Sequence, residues 1–90
     1  MIVTLEEMKQ YLRVDFDDDD SLIETLITSS TRLCMDITRQ DKDAFEESEN
    51  AKPAVYYAVA YLYEHREEAY HHALTLTLRS LLFGYRKEAF

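Results

Sequence analysis

The chain has 90 residues, of which 47% are hydrophobic and 31% charged, with a formal net charge of −8. A domain of this size buries barely enough apolar surface to be stable alone, so further stability is expected from partner subunits. The acidic balance excludes affinity for nucleic acid through counterion release, and the single cysteine, Cys34, excludes an intrachain disulfide.

The charge is spread unevenly. Residues 1–70 carry seventeen acidic and seven basic side chains, whereas residues 71–90 carry one acidic and three basic. This asymmetry permits head-to-tail contacts between copies. Seven tyrosines and no tryptophan suit an interface, because the tyrosine ring is apolar along its body and polar at its tip. No basic segment followed by an apolar one opens the chain, and the longest apolar run, Ala54 to Tyr63, is about half the length of a membrane span. The expectation is a soluble protein of a reducing cytoplasm, folded as a single helical domain over 1–90.

In chain order, Thr4 followed by Glu7 forms a capping box. Leu5, Met8 and Leu12 then fall on one face, which predicts a helix over about 5–12. The next stretch, "DFDDDDSLIE" from Asp15, raises the question of a calcium loop. Such a loop needs Gly at its sixth position and a bidentate Glu at its twelfth. Counted from Asp15 these positions hold Asp20 and Leu26, and counted from Asp17 they hold Leu22 and Thr28. The run reads better as a turn and helix start, with Ser21 and Glu24 as a second capping box or an Asp just ahead as N-cap. Leu22, Ile23, Leu26, Ile27, Leu33, Cys34 and Ile37 form an apolar stripe, predicting a helix over about 20–39 with Ser29, Ser30 and Thr31 on its surface.

Residues 41–52 show no apolar period and read as an exposed acidic loop pinned by Phe45. Pro53 suits the first position of a third helix over about 53–69, apolar nearly all round at its start. A helix without a polar side is buried on every side, so Tyr57 and Tyr61 are candidates for a subunit interface while Val55, Val59 and Leu62 face the core. In the last segment Thr75 to Leu78 alternate like a strand, but no second strand exists to pair with them. An irregular turn near 70–75 and a helix over about 76–86 are therefore predicted. The fold class is all-α, a small bundle of about four helices.

Chemistry is hard to find. His65, His71 and His72 with Glu64, Glu67 and Glu68 lack a matching ligand set elsewhere, which favours solvated helix-end histidines over a zinc site. Cys34 sits on the apolar stripe with no base beside it. A chain with one glycine has no glycine-rich phosphate loop. No active site, metal site or cofactor is expected.

Three segments go further. "VTLEEMKQYLRVDFDDDDSLIETLI", "KPAVYYAVAYLYEHREE" and "LRSLLFGYR" together resemble the head–tail connector (adaptor, DNA-packaging) family of tailed bacteriophages and prophages. The matching positions are Leu5, Leu12, Asp20 and Ile23 at the opening, Arg66 and Glu67 at the end of the third helix, and Leu81, Leu82, Tyr85 and Arg86 at the close. The apolar ones read as core, and the charged ones as ion pairs within or between subunits. "FGYR" lacks the proline expected before Tyr-Arg, which leaves the path of the last ten residues open.

The resemblance implies a non-enzymatic protein of the virion head–tail interface, made in the bacterial host cytoplasm. It implies a homo-oligomeric ring, commonly of twelve subunits, between the portal protein and a stopper or tail protein. DNA would pass through without sequence-specific binding, and no membrane is involved. Tyr57, Tyr61, Arg66 and Glu67 are the candidate subunit-interface residues. Tyr85, Arg86, Lys87 and Phe90, in the only net-positive segment, are candidates for docking to the portal or a neighbouring subunit. Two other classes compete: a small regulatory protein-binding module of antitoxin or anti-repressor type, and an acidic DNA mimic.

Overall fold

The computed structural model describes residues 2–65 and 72–83. Five helices follow in order: α1 (Leu5–Leu12), α2 (Asp20–Thr38), α3 (Lys42–Glu46), α4 (Ala51–Glu64) and α5 (His72–Phe83). The all-α bundle expected from the sequence is present, with one short helix added.

The capping box forms at α1. The Glu7 amide donates to Thr4 Oγ1 at 3.1 Å, and the Thr4 amide donates to Glu7 Oε1 at 3.0 Å. Two otherwise orphaned donors are satisfied reciprocally. The helix closes at Arg13, whose φ of 62° lies in the left-handed region. From there the Arg13 and Val14 amides reach back to the Gln10 and Lys9 carbonyls. α2 ends in the same way, with Arg39 at φ 58° and the Arg39 and Gln40 amides on the Met35 carbonyl. Glycine is the usual residue there, so both arginines hold a backbone conformation that disfavours them.

The second capping box does not form. Ser21 and Glu24 lie inside α2, and Asp19 takes the N-cap position without a side-chain cap bond. Its carboxylate is drawn elsewhere, as shown below. The predicted loop over 41–52 also needs correction, because it contains α3. Asp41 Oδ1 accepts the Ala44 amide at 2.9 Å, and Phe45 is fully buried. Five residues are too few to display a 3.6-residue period, so the helix was legible only through its cap and its one aromatic.

α4 begins at Ala51, which moves Pro53 from the first to the third helical position. It is still in the first turn, where its missing N–H costs no helical hydrogen bond. The irregular turn expected near 70–75 gives way at its C-terminal end to α5, which starts at His72. Leu74, Leu78 and Leu82, four apart, are buried, so the helical period overrides the local alternation.

α2 and α4 pack on each other, and each touches all three remaining helices, while α1, α3 and α5 do not pack among themselves. The central pair uses small buried side chains, Ser30 and Cys34 on α2 and Ala51, Ala54 and Ala58 on α4. Small residues permit close approach of two helix backbones. Ser30 is therefore core, not surface as its polarity suggested. Leu81 departs in the other direction, being 38% exposed.

Candidate functional site

The aspartate run acts as a latch between helices. Lys9, on α1, directs its ammonium to Asp17 Oδ1 at 2.9 Å and Asp20 Oδ1 at 2.8 Å. Its side chain is only 15% exposed, although the Asp17 carboxyl is 87% exposed. Hydrogen bonding to Asp17, then Asp20, holds the Lys9 pKa above its ordinary value, and the same ammonium lowers that of Asp17. Asp19 Oδ2 accepts the Tyr63 hydroxyl of α4 at 2.5 Å, which explains why it does not cap α2. One turn thus ties α1, α2 and α4 together. Asp17, a ligand position in either calcium register, is held by a cation of the chain's own.

Beside the latch, the seam between α1 and α4 is aromatic and charged. Tyr11 and Tyr56 stack with ring centroids 4.8 Å apart, and Lys52 Nζ donates to Glu7 Oε2 at 3.0 Å. The Thr4 backbone bond and then Lys52 hold the Glu7 carboxyl below its usual value. Further along α4, Tyr57 is exposed, whereas Tyr61 is half-buried, packed against the core and stacked on His65. Val55 and Val59 are buried and Leu62 packs against the core, as their spacing predicted. Tyr11, which stacks on Tyr56, is itself 51% exposed.

Across the molecule, an apolar groove of about 200 Å³ lies between the N-terminal segment, α2 and α3. Ile2, Ile27, Met35 and Phe45 form its walls, and Thr28, Thr31, Lys42 and Glu46 complete its lining. No single-helix period announces it, because three separate segments build it.

Compared with family models, residues 2–89 match the phage gp6-like head-tail connector protein. The chain belongs to that family. No curated protein and no solved structure matches it.

The connector family is structural rather than catalytic. Burial pushes the Cys34 thiol up to about 12, so it is not a thiolate at neutral pH. His65 Nδ1 lies 2.8 Å from the Tyr61 carbonyl oxygen, engaged within its own helix. Among the described residues no cluster of His, Cys, Asp and Glu could hold a metal, and no helix is long and apolar enough to cross a membrane. Of the connector's candidate interface residues, Tyr57 and Tyr61 are placed four apart on α4. Arg66, Glu67, Tyr85, Arg86, Lys87 and Phe90 lie outside the described residues, as do Glu68 and His71. Asp20, carried over from the family pattern, makes an ion pair within the protomer.

Proposed function

We propose that this connector works as one structural unit over residues 1–90, a subunit of a homo-oligomeric ring beneath the portal. The ring joins the filled capsid to a stopper or tail protein at the virion head–tail interface, and DNA passes through its axial channel. The subunit is made in the host cytoplasm, needs no cofactor and performs no catalysis. The family match over residues 2–89 carries this reading. Two features of the protomer support it. A small core leaves Tyr11, Tyr57, Leu76 and Leu81 exposed, apolar surface suited to neighbouring subunits. The acidic balance suits a wall past which phosphate moves without being held.

The face of α4 bearing Tyr57 and Tyr61, together with Arg66 and Glu67, is the subunit interface in this reading. Tyr85, Arg86, Lys87 and Phe90 form the docking segment. Sizing by sedimentation at high concentration tests the proposal: a ring subunit gives high oligomers. Tyr61→Glu should abolish them while leaving helical circular dichroism largely intact. Loss of helicity together with assembly would place Tyr61 in the protomer core instead. A protein that stays monomeric or dimeric at every concentration would favour the regulatory-module reading.

A further inference from the structure

We propose that the groove between α2 and α3 is the receptor for the C-terminal segment of a second copy of this chain, with Phe90 filling it and Arg86 and Lys87 beside the acidic segment 41–49. The inference rests on the ring reading above and names the contact that would close the ring.

The groove is the right size for one aromatic side chain. It measures about 200 Å³ and its walls are the side chains of Ile2, Ile27, Met35 and Phe45. An apolar cavity of about 150 Å³ already accepts a benzene ring. Lys42 and Glu46 both reach the groove, and the segment that carries them is negative overall, with five carboxylates in residues 41–49 against the single ammonium of Lys42. Asp43, Glu46, Glu47 and Glu49 take part in no ion pair among the described residues, unlike Asp17 and Asp20. This charge is available to a partner.

The complementary ligand lies in the same sequence. Residues 84–90 read "GYRKEAF", where Arg86 and Lys87 outnumber Glu88 between two aromatics. Arginine and lysine near carboxylates give charge-assisted contacts, and the aromatic supplies the anchor. α5, which leads into this segment, packs on α4 and α2, and among the described residues it neither touches α3 nor lines the groove. A basic-aromatic donor at one place on the protomer and an acidic-apolar acceptor at another make a heterologous contact. Such contacts close into a ring when the rotation between copies permits.

The test uses two full-length variants of distinguishable mass, Thr28→Cys at the groove rim and Ala89→Cys in the tail, which keeps the Phe90 anchor. They are mixed and exposed to a mild oxidant. The native Cys34 is buried and stays out of the reaction. Expected is a reducible heterodimer linking the two variants, in several-fold excess over either homodimer. It should disappear in 1 M salt, where the Debye length falls to about 3 Å, and when Arg86→Glu and Lys87→Glu are added to the tail. A fast-migrating monomer from the Thr28→Cys/Ala89→Cys double variant would put the tail in its own groove and overturn the proposal. So would the absence of a cross-link in a wild-type background that sizes as high oligomers. Sizing as monomer alone would instead overturn the ring reading, and this contact with it.

Discussion

Asp15 to Asp20 and Asp41 to Glu49 are alike in composition, both dense in carboxylates and nearly free of apolar residues, yet the fold treats them differently. In the first run Asp17 and Asp20 hold Lys9, and Asp19 receives the Tyr63 hydroxyl, so three of its carboxylates bind three helices together. In the second only Asp41 is used internally, as the cap of α3, and the run is anchored by a single apolar side chain, Phe45. Opposite charge within reach decides the difference. Lys9 and the Tyr63 hydroxyl stand beside the first run, whereas among the described residues no cation pairs with the second. Acid density therefore says little about role until the partners are known. A carboxylate that is paired stabilises the protomer, and one left unpaired is free to meet another molecule.

The sharpest way to break this contrast is to remove the anchor of the second run. Phe45→Ala leaves a cavity beneath α3, and truncation of a buried aromatic costs about 3–5 kcal/mol. Total stabilities of about 0.05–0.15 kcal/mol per residue make that a large share of what a chain this size has. Urea unfolding should show the midpoint collapsing. A loss below about 1 kcal/mol would mean that α3 is held by its acidic surface after all, contrary to the usual cost of an emptied core site.

The latch comes next. Tyr63→Phe deletes only the hydroxyl that Asp19 accepts, and bonds to charged groups are worth about 1.5–3 kcal/mol. A value near about 1.5 is expected, because the site is only partly buried. Lys9→Met should also lower the thermal midpoint, by leaving Asp17 and Asp20 side by side without their cation. The pH profile separates this charge effect from packing. Asp17 and Glu7 have folded-state pKa values below their ordinary ones, so their contribution is present above about pH 4 and lost as pH falls through the depressed values. Lys9 is raised, so its contribution is present below its ordinary value and lost as pH rises through the folded one. The wild type should lose stability between pH 7 and pH 3, and Lys9→Met should lose less. Equal losses would detach the acid sensitivity from the latch.

These sites differ in how far the sequence exposes them. The α1 capping box, the α2 stripe and the burial of Phe45 and Cys34 are local signals, carried by residues three to eleven apart, and all are legible. The Tyr63–Asp19 bond joins residues 44 apart, and nothing near either residue announces it. Its only trace is negative: an aspartate at an N-cap that does not cap. The polarity of Ser30 points to the surface, but its position, three residues beyond Ile27 and four before Cys34, puts it on the buried face. α5 was placed late because a threonine–leucine alternation imitates a strand over four residues. Only the longer spacing of Leu74, Leu78 and Leu82 corrects it. The groove was invisible, since its walls come from three segments that each look ordinary.

A smaller effect probes the one internal use of the second run. Asp41→Ala removes the cap on the Ala44 amide, at a typical cost of about 1 kcal/mol. Chemical denaturation should resolve it, and circular dichroism should change little, since α3 has only five residues. If the cost approached that of Phe45→Ala, the cap rather than the anchor would be holding the segment.

The smallest expected effect sets the two runs against each other most directly. Asp43→Asn, Glu47→Gln and Glu49→Gln together remove three charges from the second run while keeping side-chain shape. Asp17→Asn removes one from the first. Surface substitutions away from specific partners usually stay within about 0.5 kcal/mol. The triple variant should therefore unfold at nearly the wild-type midpoint, and any small change should be upward, since like charges on one short segment repel. Asp17→Asn, with a third of the charge change, should lower the midpoint, because Lys9 loses a partner 2.9 Å away. Both are compared in low salt, where screening hides least. If the triple variant is the less stable of the two, the unpaired carboxylates are serving the protomer, and the division between an inward-used and an outward-facing acidic run fails. If the order is as expected, the same triple variant becomes the probe for assembly, since a protomer unchanged in stability can lose only what those carboxylates do for a partner.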